Sequence, residues 1–361
     1  MKKEGEMKRF NDHRKLRGGV LSVILIALIS VSMILIGVNS AMSATLKDAA
    51  KFYKGKNLTL IVPNKPGGGY DTYCRLLAPY LSKYTGANVI VKNQPGAGGL
   101  LVVNGVYEAR PDGLRINIQN TMASVTNQLV GLDGVRYDLL KYSWLGRITT
   151  DRRVLAMQKN TSVRSFEELM KSPKPIKLGA TGVGGSTYVD AVITKEAFDL
   201  PVEVVFGYDS SPEVDLGLLR GEIDGTYGSY NSRLGMVKAG EQFLVLQSGK
   251  DRAAYIPDVP NWFEFAKNER AKKLLTALNG LHETGRTLST TPGIPAERLA
   301  FLRQAFEKTM HDPEFLNDAK KAKRDLNYIS GDDVLQLMKD VLNINDPQVK
   351  KIFVNAVKGE M

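Results

Sequence analysis

Short apolar runs alternate with longer amphipathic ones along most of the chain. Leu58–Val62, Asn88–Val91, Arg115–Ile118, Val154–Met157, Ile176–Ala180, Val202–Phe206 and Phe243–Gln247 read as strands. Several are apolar nearly throughout, as strands buried on both faces are. Helical runs lie between many of them. Cys74, Leu77, Ala78 and Leu81 share one face at i, i+3, i+4 and i+7. Pro79 inside that run predicts a kink. Phe166–Lys171 and Glu213–Arg220 read as further helices. The strand–helix–strand order predicts an α/β protein with mainly parallel sheets.

The last part of the chain is helical. Leu299, Leu302, Phe306 and Met310 form a stripe on a helix opened by Pro295, and Glu314–Lys323 continues helically. Ser330-x-x-Asp333 has the form of a capping box ahead of Val334, Leu335, Leu337 and Met338. This tail is expected to pack back on the first domain. The length of 361 residues suffices for two domains and a sizeable core.

The start of the chain follows another pattern. Residues 1–17 carry seven Lys/Arg (Lys2, Lys3, Lys8, Arg9, Arg14, Lys15, Arg17) against Glu4, Glu6 and Asp12. An uncharged stretch with Val20 to Val38 at its heart follows, then Asn39-Ser40-Ala41-Met42-Ser43-Ala44. A basic region, an apolar region and a small-x-small site make an export signal over residues 1–43. Cleavage is expected after Ser43, with Ala44 the alternative. A retained membrane anchor is the competing reading, because the apolar stretch is long. No Cys follows it to carry a lipid. The leader takes +4 of the chain's formal +11, so +7 remains, spread along the mature part. Its densest run, Lys320, Lys321, Lys323 and Arg324, reads as a solvated helix face rather than a nucleic-acid patch. A positive exported protein suits anionic small ligands.

Glycine-rich turns carry the candidate chemistry. Gly67, Gly68 and Gly69, with Tyr70 and Asp71, follow a strand and open a helix. Such a turn lets backbone approach a ligand and points free N–H groups at it, and the helix N-terminus attracts anions. Gly184, Gly185, Ser186, Thr187 and Tyr188 repeat the arrangement after Ile176–Ala180, adding hydroxyls. N-capping by Ser186 or Thr187 would use the same helix end. Gly96-Ala97-Gly98-Gly99 is a third such turn. Asn120, Thr121, Tyr208 and Ser229 complete the candidate ligand set. Tyr208 lies just past a strand end, where open α/β sheets bind ligands.

Enzyme motifs are scarce. The sequence has no Gly-x-x-x-x-Gly-Lys-Ser/Thr and no Gly-x-Ser-x-Gly. His282-Glu283 has no second His at zincin spacing, and one Cys excludes an intramolecular disulfide and a thiolate metal cluster. Cys74 sits on an apolar helix face and reads as core. Gly182-x-Gly184-Gly185 is a poor dinucleotide fingerprint. No catalytic residue, cofactor or metal is expected.

The segment Leu60-Ile61-Val62-Pro63-Asn64-Lys65-Pro66-Gly67-Gly68-Gly69-Tyr70-Asp71 resembles the first-loop signature of substrate-binding proteins of tripartite tricarboxylate transporters. The resemblance continues through Val89-Ile90-Val91-Lys92-Asn93-Gln94-Pro95-Gly96-Ala97-Gly98-Gly99, Pro111-Asp112-Gly113, Ile256-Pro257-Asp258-Val259-Pro260 and Gly293-Ile294-Pro295-Ala296-Glu297. It implies a periplasmic binding protein of the two-lobe Venus flytrap type that closes on a small organic carboxylate. Lobe one would be residues 46–145 and 280–361, lobe two residues 146–279, with two chain crossings at the hinge. The partners implied are the integral membrane permease subunits, with no nucleic acid, and the receptor would be a monomer. The resemblance implies that amides of Gly67–Tyr70, a helix N-terminus and waters hold the carboxylate, not a bidentate Arg. Arg75, one turn into the helix, is expected to point away. Tyr70 stands where the family usually has Thr or a small residue, Tyr188 where His is frequent, and Gly228-Ser229 where Asp-Asn is usual. The extra tyrosines favour an aromatic or bulkier acid. A secreted α/β enzyme acting on a small organic acid, or a ligand-sensing partner of a membrane signalling protein, remains the alternative.

Overall fold

The computed structural model describes residues 45–343 and 346–358. The expected leader, residues 1–43, and its cleavage point lie outside the described residues. Residues 45–53 are helical (α1). Beyond them the strands gather into two sheets. The first holds β1 (Asn57–Val62), β2 (Asn88–Asn93), β3 (Arg115–Asn120), β4 (Ser143–Thr149), β10 (Arg286–Thr290) and β11 (Ile329–Ser330), in the order β11-β4-β10-β3-β1-β2. The second holds β5 (Arg153–Gln158), β6 (Ile176–Thr181), β7 (Val202–Tyr208), β8 (Gly225–Ser229) and β9 (Gln242–Gln247), in the order β7-β6-β8-β5-β9.

Within each sheet a parallel trio forms around one strand: β2 and β3 flank β1, and β7 and β8 flank β6. The remaining ladders are antiparallel, so both sheets are mixed rather than mainly parallel. The antiparallel strands β4, β5 and β10 border the two places where the chain changes sheet. It leaves the first sheet after Thr149 and joins the second at Arg153; it returns between α9 (Glu269–Thr284) and Arg286. Gly285 sits at that return with φ +60°, and a Cβ there would collide with the Thr149 carbonyl oxygen. Only glycine lets the two crossings lie this close.

The apolar pattern finds β1, β2, β3, β5, β6, β7 and β9 but does not announce β4, β8, β10 or β11. β8 reads Gly-Thr-Tyr-Gly-Ser and β10 Arg-Thr-Leu-Ser-Thr, yet every residue of both is buried. Cross-strand bonds replace apolar contact in β10. Thr287 Oγ1 lies 2.8 Å from Thr121 Oγ1, and Ser289 Oγ accepts from Gln119 Nε2 at 2.7 Å. Ser289 Oγ in turn donates to Asn117 Oδ1 at 2.8 Å. Buried polar groups satisfied in this way cost little.

The connecting helices are α2 (Gly69–Thr85), α3 (Leu100–Tyr107), α4 (Thr121–Leu129), α5 (Phe166–Met170), α6 (Ser186–Phe198), α7 (Ser211–Leu219) and α8 (Tyr230–Lys238). α2 buries Cys74, Leu77, Ala78 and Leu81, the expected stripe, and runs unbroken through Pro79. It stops at Gly86, whose left-handed φ of 69° lets its N–H reach the Ser82 carbonyl. The tail forms α10 (Ala296–Met310), α11 (Pro313–Lys321), α12 (Gly331–Leu342) and α13 (Pro347–Lys358). α10 and α11 pack on α2, and α12 packs on β4 and α9. Ser330 and Asp333 form the expected capping box at the start of α12. α13 departs from the rest of the tail and packs against α6 and α9. Val189 and Ile193 of α6, Leu274 and Leu278 of α9 and Phe353 of α13 belong to one buried apolar cluster.

Candidate functional site

The turn from β1 into α2 is shaped by one carboxylate. Asp71, in the first turn of α2, accepts from the Gly67 N–H at 3.0 Å, Arg75 Nε at 2.9 Å and Asn93 Nδ2 at 3.0 Å. Burial alone would raise the Asp71 pKa; these three donors outweigh it and hold the carboxyl below its ordinary value. Arg75 is thereby turned outward, exposed and engaged with Asp71 and Asn93. The turn itself presents Gly68, Gly69 and Tyr70 to a cleft between the two sheets.

The second sheet answers with the turn from β6 into α6. Gly185 is the N-cap residue there, so neither Ser186 nor Thr187 caps the helix. Thr187 Oγ1 accepts from the Thr181 N–H at 2.9 Å. Ser186 Oγ accepts from Asn120 Nδ2, at the end of β3, at 3.1 Å. This bond spans the cleft. Thr181, Ser186, Thr187, Ser211, Gly228, Ser229 and Ser232 face Asn64, Gly68, Gly69, Tyr70 and Asn120 across it.

Further contacts join the two sides. Lys65 Nζ lies 2.9 Å from Asp209 Oδ2 and 2.6 Å from Glu213 Oε1. Asn231 Nδ2 donates to Asp325 Oδ2 at 3.2 Å. The Gly98 turn abuts the Gly182–Gly185 turn so closely that a Cβ on Gly98 would stand 3.1 Å from the Val183 carbonyl oxygen. The space left in the cleft is small, about 30 Å³, enough for about two ordered waters.

Not every expected residue lines this cleft. Gly67 stays exposed beside Pro212, and Asp71 acts on the loop from behind. Thr121 is buried in the β3–β10 seam, and Gly184 faces the Asn127 side chain. Tyr188 packs edge-on against Phe206, ring centroids 5.3 Å apart. Tyr208 borders a neighbouring cavity with Asn64 and Asp209, and its hydroxyl donates to Glu222 Oε2 at 3.3 Å. Only Tyr70 of the extra tyrosines enters the cleft, and it fills space there.

The two charged residues that line the cleft, Arg153 and Arg286, are absent from the candidate set. Arg286 opens β10, a strand the apolar pattern misses, and Arg153 opens β5 at the first crossing. Both are almost fully buried, 4% and 2% exposed. Arg286 donates from Nε to Asp151 Oδ1 at 3.1 Å and from Nη2 to Ser229 Oγ at 2.7 Å. Its guanidinium carbon lies 4.4 Å from the centre of the Tyr70 ring. Arg153 donates from Nε to Asp190 Oδ2 at 2.6 Å and places Nη1 3.7 Å from Asp151 Oδ2. Burial works against both charges, but the carboxylates Asp190 and Asp151 outweigh it and raise both pKa values. Asp190 also lies 2.8 Å from His282 Nε2, and Trp262 stacks on the His282 ring. Among the described residues, no group of three or more His, Cys, Asp or Glu is placed to hold a metal ion.

The model of the tripartite tricarboxylate transporter family receptor matches residues 73–354 of the chain. A UPF0065 protein of Bordetella pertussis is 24% identical over 308 residues, covering 84% of this chain and 91% of its own. The structure of the periplasmic binding protein BugD superposes with a TM-score of 0.71 at 19% identity, over 84% of this chain and 98% of its own. That of MatC from Rhodopseudomonas palustris, with bound malate, gives 0.69 at 17% identity, over 82% and 99%. The two sheets and two crossings are therefore those of the two-lobe periplasmic binding-protein fold. With its family model matched over most of its length, the chain belongs to the tripartite tricarboxylate transporter receptors.

Proposed function

We propose that this receptor holds its carboxylate in the cleft lined by Gly68, Gly69, Tyr70, Asn120, Ser186, Thr187 and Ser229. The protein is a periplasmic solute receptor rather than an enzyme, and it serves a membrane permease of the tripartite tricarboxylate type. The observation that carries the site is the lining itself: amides, hydroxyls and guanidiniums drawn from both sheets converge there. Lobe one, expected as residues 46–145 and 280–361, extends to Thr149 so as to keep β4 whole, and lobe two, expected as residues 146–279, begins at Arg153, with the sheet change at 150–152 as the first hinge strand and Gly285 in the second. α13, packed on α6 and α9, ties the end of the chain to the far side of the hinge. Closure joins the lobes around the ligand as a rigid-body movement.

A thermal-shift screen against organic acids tests this reading. Malate, bound by MatC, heads the panel. A ligand at 100 times its Kd adds about 2.7 kcal/mol to the folded state and raises Tm. At least one small carboxylate is expected to do so, and the neutral amide of the same acid is not. Shifts caused by the amides alone would refute the reading.

Ser186→Ala is expected to weaken binding of that acid by about 1.5–3 kcal/mol, the scale of a hydrogen bond to a charged group. Because Gly185 caps α6, the substitution leaves the helix start intact. Calorimetric titration reads the change. Unchanged affinity would confine Ser186 to its bond with Asn120.

A further inference from the structure

We propose that Arg286, Arg153 and Tyr70 form a direct anion socket for the acid group of the ligand, a role that rests on the carboxylate reading above. The Tyr70 hydroxyl, Arg286 Nη1 and Arg153 Nη2 are all buried, line the same cleft, and have no hydrogen-bond partner in the protein. The three come from separate elements, α2, β10 and β5, so no single turn explains their convergence.

The rest of each guanidinium is occupied. Asp151 and Ser229 hold Arg286 by Nε and Nη2, and Asp190 holds Arg153 by Nε. Each arginine is thus fixed in orientation with one nitrogen left over. Leaving a buried donor unmatched is costly, and the cost is greater for a charged one. All three leftover groups can donate. A guanidinium can only donate, so the occupant they suit is an acceptor with several lone pairs on neighbouring atoms, as a carboxylate has. The N-termini of α2 and α6 open toward the same space and favour negative charge.

Asp151 and Asp190 balance the two arginines, so the socket works by aimed donors rather than excess charge. It differs from the amide-and-water cradle implied by the first-loop resemblance. The carboxylate meets Nη1 of a guanidinium from β10 that Asp151 and Ser229 hold by its other nitrogens and that the Tyr70 ring backs.

The test is calorimetric titration of acetate, malate, succinate, succinamide and benzoate into the wild type and three variants, after circular dichroism confirms folding. Tyr70→Phe removes only the hydroxyl and is expected to weaken the best-bound acid at least tenfold. Arg286→Lys keeps the charge but loses the fork, and is expected to weaken it at least a hundredfold. Arg75→Ala, outside the cleft, is expected to change nothing. Succinamide, which carries no charge, is expected not to bind. If no acid binds the wild type, the carboxylate reading falls and the socket with it. If an aliphatic acid binds the wild type and both cleft variants within twofold, the socket alone is wrong. Should Arg286→Lys fail to fold, Tyr70→Phe decides.

Discussion

Gly69→Val is expected to lower carboxylate affinity at least a hundredfold while leaving the fold intact. The first residue of α2 stands where the two lobes meet. A Cβ there would lie 2.5 Å from Arg286 Nη1 and 2.6 Å from Ser232 Oγ. Ser232 could turn, but Arg286 is pinned by Asp151 and Ser229 and backed by the Tyr70 ring. The added side chain must displace the guanidinium or hold the lobes apart. Gly69 is not among the glycines of positive φ, so Val meets no backbone strain and the helix can still form. Gly105 of α3 is the control, since a Cβ there meets nothing within 4 Å and the residue lies outside the cleft. Gly105→Ala should bind as the parent does. Titration calorimetry of both variants separates the cases: a hundredfold loss is about 2.7 kcal/mol. Equal affinities would mean that the lobes do not close on this geometry.

The second large effect concerns stability. Asp190→Asn is expected to cost about 3–5 kcal/mol at neutral pH, the scale for removing one partner of a buried ion pair. Asp190 is fully buried between Arg153 and His282. Burial alone would raise its pKa; Arg153 and then His282 reverse this and lower it. A depressed carboxylate stabilises the fold above its unfolded pKa, near 3.8, and the gain is lost as pH falls through the lower folded value. Wild-type stability should therefore decline in acid below about pH 4, and the variant should show less of that decline. Urea midpoints at pH 7 and at pH 3 read both effects. A variant as stable as the parent at pH 7 would show that Asp151 alone suffices to balance Arg153.

The parts of the molecule legible in the sequence are those whose burial is apolar or whose turns need glycine. The parallel trio around β1, the β6–β7 pair, the α2 stripe, the α12 capping box and the two glycine turns announce themselves in this way. The hinge does not. β4, β8 and β10 bury Thr, Ser, Gly and Arg, and only the finished sheet supplies partners such as Thr121 and Gln119. The same blindness hid half of the cleft. Tyr70, Asn120, Ser186 and Thr187 lie beside recognisable strand ends, whereas Ser229 closes one unrecognised strand and Arg286 begins another. Arg153 looks like one more surface charge in Asp151-Arg152-Arg153. A buried arginine has no periodicity; its signature is the carboxylate opposite, and Asp190 lies 37 residues away in sequence. Tyr188 misled for the converse reason, since its place beside a glycine turn says nothing of the Phe206 ring that takes it.

The seam between the Gly98 turn and the Gly182–Gly185 turn is made largely of bare backbone. A closing surface built from long side chains must freeze their rotamers, up to about 2 kcal/mol for each Lys, Arg or Met. Glycine has no rotamers to lose, so these turns come together at little entropic cost beyond that of the rigid movement itself. They also have little to disentangle on parting. A receptor that must release its cargo to a permease at each cycle gains from such a seam: grip comes from the ligand, and turnover is not slowed by interdigitated side chains at the lip.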